Sequence, residues 1–140
     1  MRIEVCLCAT IAIATAGCGT TPSPPKTGTG SREAARKFYQ AIVEREWPKA
    51  YDTLHVDSKK RMTIGQFALL ASAYRLNLGF DPTDVRVTTC DEKGDSAIAH
   101  VALVGHFGER AKRFSDGVPL RKIGEDWFVV LPTSFGRKTN

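Results

Sequence analysis

The hydrophobic period of this chain changes once, at Asp81-Pro82, and that change limits what it can fold into more than any other feature. Before it, apolar residues recur at three- and four-residue spacing, the mark of helices with one buried face. After it they alternate, as they do along the strands of a sheet. A chain with its helices first and its strands last buries the helix stripes against one face of an antiparallel sheet, which predicts an α+β fold.

The helical half starts at Ser31, an expected N-cap, followed by Glu33 in the first turn and by Ala35, Phe38, Tyr39, Ile42 and Val43 on one face. Trp47-Pro48 breaks this helix. Because proline suits a first helical turn, a short second helix is expected over 48–54 with Tyr51 and Leu54 inward. Thr63-Ile64-Gly65-Gln66 is a capping box between Met62 and Phe67, which stand as a hydrophobic staple. It should open a third helix with Phe67, Leu70, Ala71, Tyr74 and Leu78 as its stripe and Gly79 as its left-handed stop.

In the second half, Val85, Val87 and Thr89 alternate with Arg86, Thr88 and Cys90, and Asp91-Glu92-Lys93-Gly94 reads as a turn. Ser96 to His106 is a long strand apolar on both faces, expected to be central and covered on both sides. Trp127 to Leu131 is another strand. Asp116-Gly117 allows either a hairpin turn or a bulge within one long strand. The bulge is favoured, because a turn would put Pro119 inside a very short strand.

The first eighteen residues carry a different message. Val5 to Ala14 is an apolar run too short to span a bilayer, followed by Thr15-Ala16-Gly17 and then Cys18. This pattern resembles the lipobox of bacterial lipoprotein signal peptides, in which small residues fit a narrow peptidase cleft and the cysteine thiol accepts lipid. Thr15 stands where such signals usually have Leu, and Glu4 dilutes an n-region whose only basic side chain is Arg2. The resemblance implies removal of 1–17 and membrane attachment through lipid on Cys18. It also implies a cell-envelope location, in the outer membrane if the cell has one, since Gly19 rather than Asp follows the cysteine. From Gly19 to Gly30 there is no large apolar residue to bury, so 18–30 is expected to be a flexible tether of at most about 40 Å. The folded domain is expected over 31–132, with 133–140 as a tail.

Composition then narrows the body's function. Of 140 residues, 42% are hydrophobic and 25% charged, enough for one packed core and too short for a second enzyme-sized domain. The net charge of +5 comes from scattered bases, in the clusters Lys59-Lys60-Arg61 and Arg110, Lys112, Arg113. Without interleaved aromatics these read as solvated faces, and no nucleic-acid partner is expected. Cys90 is the only thiol of the body, which leaves it no internal disulfide partner.

Arg36-Lys37-Phe38-Tyr39-Gln40-Ala41-Ile42, leading to Trp47-Pro48-Lys49-Ala50-Tyr51, and the ending from Pro119 through Trp127 to Val130 together resemble the nuclear-transport-factor-two-like superfamily, also called cystatin-like. The resemblance spans about 31–132 and implies a curved sheet wrapping the helices as a cone. Members often have an apolar pocket inside it and often form homodimers through the outer sheet face. Its enzymes, isomerases and dehydratases among them, hold an Asp, His or Tyr in the cone, where desolvation tunes proton transfer.

For that chemistry the weak candidates are His100, central in the long strand, and Asp84 at a strand entry, with Tyr51, Tyr74 and Trp127 as further pocket candidates around His100. The alternative is that His100 is a half-buried structural histidine and Trp127 a core residue. His55 and His106 lack metal-site spacing, and no phosphate-binding loop, paired Cys-x-x-Cys or serine-hydrolase motif is present, so no metal or cofactor is expected. The reading is a membrane-tethered, non-catalytic binding or interaction domain taking a small apolar ligand or a protein partner. The alternatives are a small proton-transfer enzyme and a self-associating structural lipoprotein.

Overall fold

The computed structural model describes residues 28–137, so the leader, Cys18 and most of the tether lie outside the described residues. Within them run α1 (Ser31–Val43), α2 (Trp47–Asp52), α3 (Val56–Arg61) and α4 (Ile64–Asn77). The strands β1 (Asp81–Lys93), β2 (Ser96–Phe107), β3 (Arg110–Ile123) and β4 (Asp126–Val129) follow. The strands form one antiparallel meander in the order β1-β2-β3-β4. The expected α+β architecture, helices packed on a curved antiparallel sheet, is what the chain adopts.

The period change falls where the sequence put it, and Asp81-Pro82 opens β1. Pro82 is tolerated there because β1 is an edge strand and its register shifts between Pro82 and Asp84. A second shift lies between Val87 and Thr89. Such irregularities bend a strand and increase its twist, which curves the sheet around α1. The strand then continues through Lys93, and the turn is only Gly94-Asp95.

β3 is one continuous strand, and its register with β2 runs unbroken from Ser96↔Arg121 to Phe107↔Arg110. Asp116-Gly117 is thus neither turn nor bulge. Pro119 is accommodated because its missing N–H faces the β4 side just past the last β4 pair, Leu120↔Val129, where its carbonyl accepts from Val130 N at 2.9 Å.

The core lies between the inner sheet face and the helices. Ala97, Ala99, Val101 and Leu103 of β2 meet Phe38, Tyr39 and Ile42 of α1 and Phe67, Ala71 and Tyr74 of α4 in one apolar cluster. The other face of β2 is not covered as expected. Helices pack on one side only, and Ile98 (52% exposed) and His100 point outward. Ala102 is buried on that outer face between its register partners Arg86 and Ser115.

The capping box forms as read: Thr63 Oγ1 accepts from Gln66 N at 3.3 Å and Gln66 Oε1 from Thr63 N at 2.9 Å. Gly79 adopts the expected left-handed conformation at the end of α4. Ser31 does not cap α1; Gly30 does, and Ser31 is buried with its hydroxyl against Cys90 Sγ and the Glu92 carboxylate. Glu92 also accepts from Thr29 N, so the last tether residues are fixed to the sheet.

α3 has no counterpart in the sequence reading. His55 caps it through Nδ1, which accepts from Asp57 N at 3.2 Å, and Ser58 Oγ accepts from Leu131 N at 2.9 Å. Packing also runs past Pro132. Phe135 is 7% exposed and stacks on Tyr74 at 4.7 Å between centroids, so 133–137 belongs to the domain and is not a free tail. Gly136 makes this return possible: at φ 73° it lies so near α4 that a Cβ would sit 2.3 Å from the Leu70 carbonyl oxygen.

Candidate functional site

Alternation along β3 decides which side chains enter the domain. Phe114, Asp116, Val118 and Leu120 share the inner face with Leu103, Val101, Ala99 and Ala97, their register partners on β2. Asp116 is therefore an acid on a core-facing position. Tyr39 of α1 and Tyr74 of α4 both reach it, their hydroxyls donating to the same oxygen, Oδ2, at 2.9 and 2.7 Å. Oδ1 accepts from the Gly117 N–H at 2.8 Å. A carboxylate offers about four lone-pair sites, so three donors leave one acceptor position free.

The two phenols respond in the same direction. Burial, joined by the charge of Asp116, pushes the pKa of Tyr39 and Tyr74 well above the ordinary phenol value, so both keep their protons and act as donors. On the outer face, the His100 ring lies against Gly117, where a Cβ would be 3.1 Å from Nδ1. The glycine of Asp116-Gly117 thus serves close side-chain packing across the sheet.

Around Asp116 is a cavity of about 290 Å³, bounded by Tyr39, Tyr74, Leu78, Phe114, Val118 and the returning segment Pro132 to Arg137. Tyr74 stacks on Phe135 and meets Phe114 edge-on at 6.4 Å, so much of the wall is aromatic. A wider groove of about 670 Å³ lies on a different face of the same C-terminal end of α4, lined by Trp47, Leu76, Phe80 and Phe107 beside Arg45, Arg75 and Asp81. The Arg75 guanidinium is committed there to structure. It donates to the Ile42 and Val43 carbonyls at the end of α1 and pairs with Asp81.

Of the site candidates His100, Asp84, Tyr51, Tyr74 and Trp127, only Tyr74 lines the Asp116 cavity. His100 is exposed on the outer face and does not enter the cone. Asp84 is exposed as well, its carboxylate accepting from Val85 N and paired with Arg86 at 3.1 Å. Tyr51 is half-buried under Lys59 and donates to the Met62 carbonyl. Trp127 is a core residue whose Nε1 donates to Thr29 Oγ1 at 2.8 Å. These four do not converge. Asp116 and Tyr39 are not site candidates by sequence: an Asp-Gly pair signals backbone geometry, and Tyr39 is one member of an apolar stripe. The signal that finds them is the β3 alternation, once the strand is known to be continuous. Among the described residues no group of His, Cys, Asp and Glu could hold a metal ion. Cys18 lies outside them.

Helices followed by a curved four-stranded meander, with a cavity between them, define an α+β domain of NTF2-like fold. Solved structures agree. A protein described as an NTF2-like transpeptidase, from Campylobacter jejuni, superposes with a TM-score of 0.55 at 18% identity, covering 71% of this chain and 96% of its own. A SEC-C motif-containing protein from Rhodopseudomonas palustris matches with a TM-score of 0.55 at 16% identity, covering 74% of this chain and 78% of its own. Another from Psychrobacter arcticus has a TM-score of 0.55 at 15% identity, with 71% of this chain matched to 58% of that one. At such identities the likeness is one of fold. No family model matches the chain, and no curated protein matches it either.

Proposed function

We propose that this chain is a lipid-tethered binding domain of the bacterial cell envelope, held to the membrane through Cys18 and taking a small ligand in the Asp116 cavity. The observation that carries the binding half is the convergence of two phenols from different helices on one inward carboxylate, in a cavity that core side chains do not fill. The tether half rests on the leader, the small residues before Cys18 and the uncored segment after it. No reaction is part of the proposal: the phenols hold their protons and His100 lies on the opposite face of the sheet from the carboxylate.

Each half has its own test. Labelled fatty acid should enter the wild-type protein in cells and not the Cys18→Ser variant; label retained in the variant defeats the tether. For the cavity, the full chain carrying Cys18→Ser should brighten Nile red. Adding Ser134→Trp, an exposed position at the cavity mouth, should remove most of that signal with the fold intact by circular dichroism. An unchanged signal would place dye binding elsewhere. Self-association as a homodimer is a separate proposal, favoured by Ile98 and Ile123 at 52% and 47% exposed on the outer face, and sedimentation of the same protein reads it.

A further inference from the structure

Resting on the binding reading above, we infer that the ligand class of the Asp116 cavity is a small organic ammonium ion, its cationic end on the free acceptor position of Asp116 and its apolar body against the Tyr74, Phe114 and Phe135 rings. Charge is the first argument. The buried Arg75 guanidinium has Asp81 as its ionic partner, whereas no described lysine, arginine or histidine pairs with Asp116. Its three donors are all neutral groups: two phenols and one backbone N–H. They orient the carboxylate without cancelling its charge, and an ammonium supplies both the missing charge and a fourth donor.

The walls are the second argument. Tyr74 presents a ring stacked on Phe135 and edge-on to Phe114, so a cation entering the cavity meets aromatic surfaces, whose faces attract positive charge. An anion would meet the same rings with an uncompensated carboxylate behind them. Arg137, exposed at the rim, is the one charged side chain besides Asp116 on the cavity lining. It stands at the mouth, where it disfavours a second positive charge and suits a ligand with a single cationic end. The cavity of about 290 Å³ is of the size of a small ring bearing an aminomethyl group.

The test compares two probes of equal shape, benzylamine, protonated at neutral pH, and benzyl alcohol, by calorimetric titration into the full chain carrying Cys18→Ser. Benzylammonium should bind at least tenfold more tightly. Asp116→Asn, which keeps an acceptor for the phenols, should bring the two affinities to within about twofold of each other, a tenfold preference being what one charge-assisted hydrogen bond supplies. Tyr74→Phe, which keeps the carboxylate, should retain the preference. Equal affinities in the parent protein overturn the inference while leaving the cavity reading intact. A preference that survives Asp116→Asn, or disappears in Tyr74→Phe, overturns Asp116 as the recognising group. If neither probe binds, the inference fails, and the Nile red response with and without Ser134→Trp decides separately whether the cavity reading fails with it.

Discussion

Asp116 joins three parts of the chain, because the donors to its one oxygen come from α1 and α4 while it stands on β3 itself. Tyr39 is 1% exposed and Tyr74 8%, so removing their acceptor leaves two phenols with little water to turn to. Asp116→Ala should lower unfolding free energy by about 2–6 kcal/mol, at about 1–3 for each of the two phenols stranded. Asp116→Asn should cost much less, and denaturant melts of the two variants read the difference. The same phenols set an alkaline limit. Their folded pKa values lie above the ordinary 10.0 that they regain on unfolding, so their contribution is complete below pH 10 and is lost as pH rises beyond it. Phenolate absorbance should show two of the three tyrosines ionising only together with the loss of the fold; two early-titrating phenols would contradict the burial. At this scale the sequence conceals the site. An Asp-Gly pair signals a turn by its backbone preferences, and nothing local reveals that Asp116 sits in a strand whose glycine exists to admit His100.

Elements whose instructions are local were legible, and those defined by distant partners were not. The capping box at Thr63 states the start of α4 within four residues, and Thr63→Ala should cost about 1 kcal/mol, measured as a shift in the denaturation midpoint. α3 was invisible because Val-Asp-Ser-Lys-Lys-Arg has no apolar period. Its position comes from Ser58 and Arg61, which bond Leu131 some seventy residues on. The segment after Pro132 was misjudged for the same reason. A single Phe135 among small and polar residues resembles a tail, yet it completes an aromatic cluster with Phe38, Phe67 and Tyr74. Phe135→Ala should cost about 3–5 kcal/mol, as a core aromatic does, and a thermal melt within a degree or two of wild type would return the segment to tail status.

For the whole molecule, the order of helices and strands was readable from a single change of period, because antiparallel strands and amphipathic helices leave few ways to share one core. Which sheet face turns inward was not, since β2 is apolar on both faces and only the helices' position chooses between them. That choice sent His100 outward and Asp116 inward, and with it moved the candidate site from β2 to β3. The proposed leader and lipid on Cys18 are independent of the fold, and residues Thr29 to Ser31, fixed to the sheet, mark where such a tether would end. Entry of small molecules at Asp116 should be visible in amide chemical shifts on titration with benzyl alcohol. Concerted shifts are expected at Gly117, Val118, Gly136 and Arg137; shifts confined to the groove of Leu76, Phe80 and Phe107 would contradict entry at Asp116.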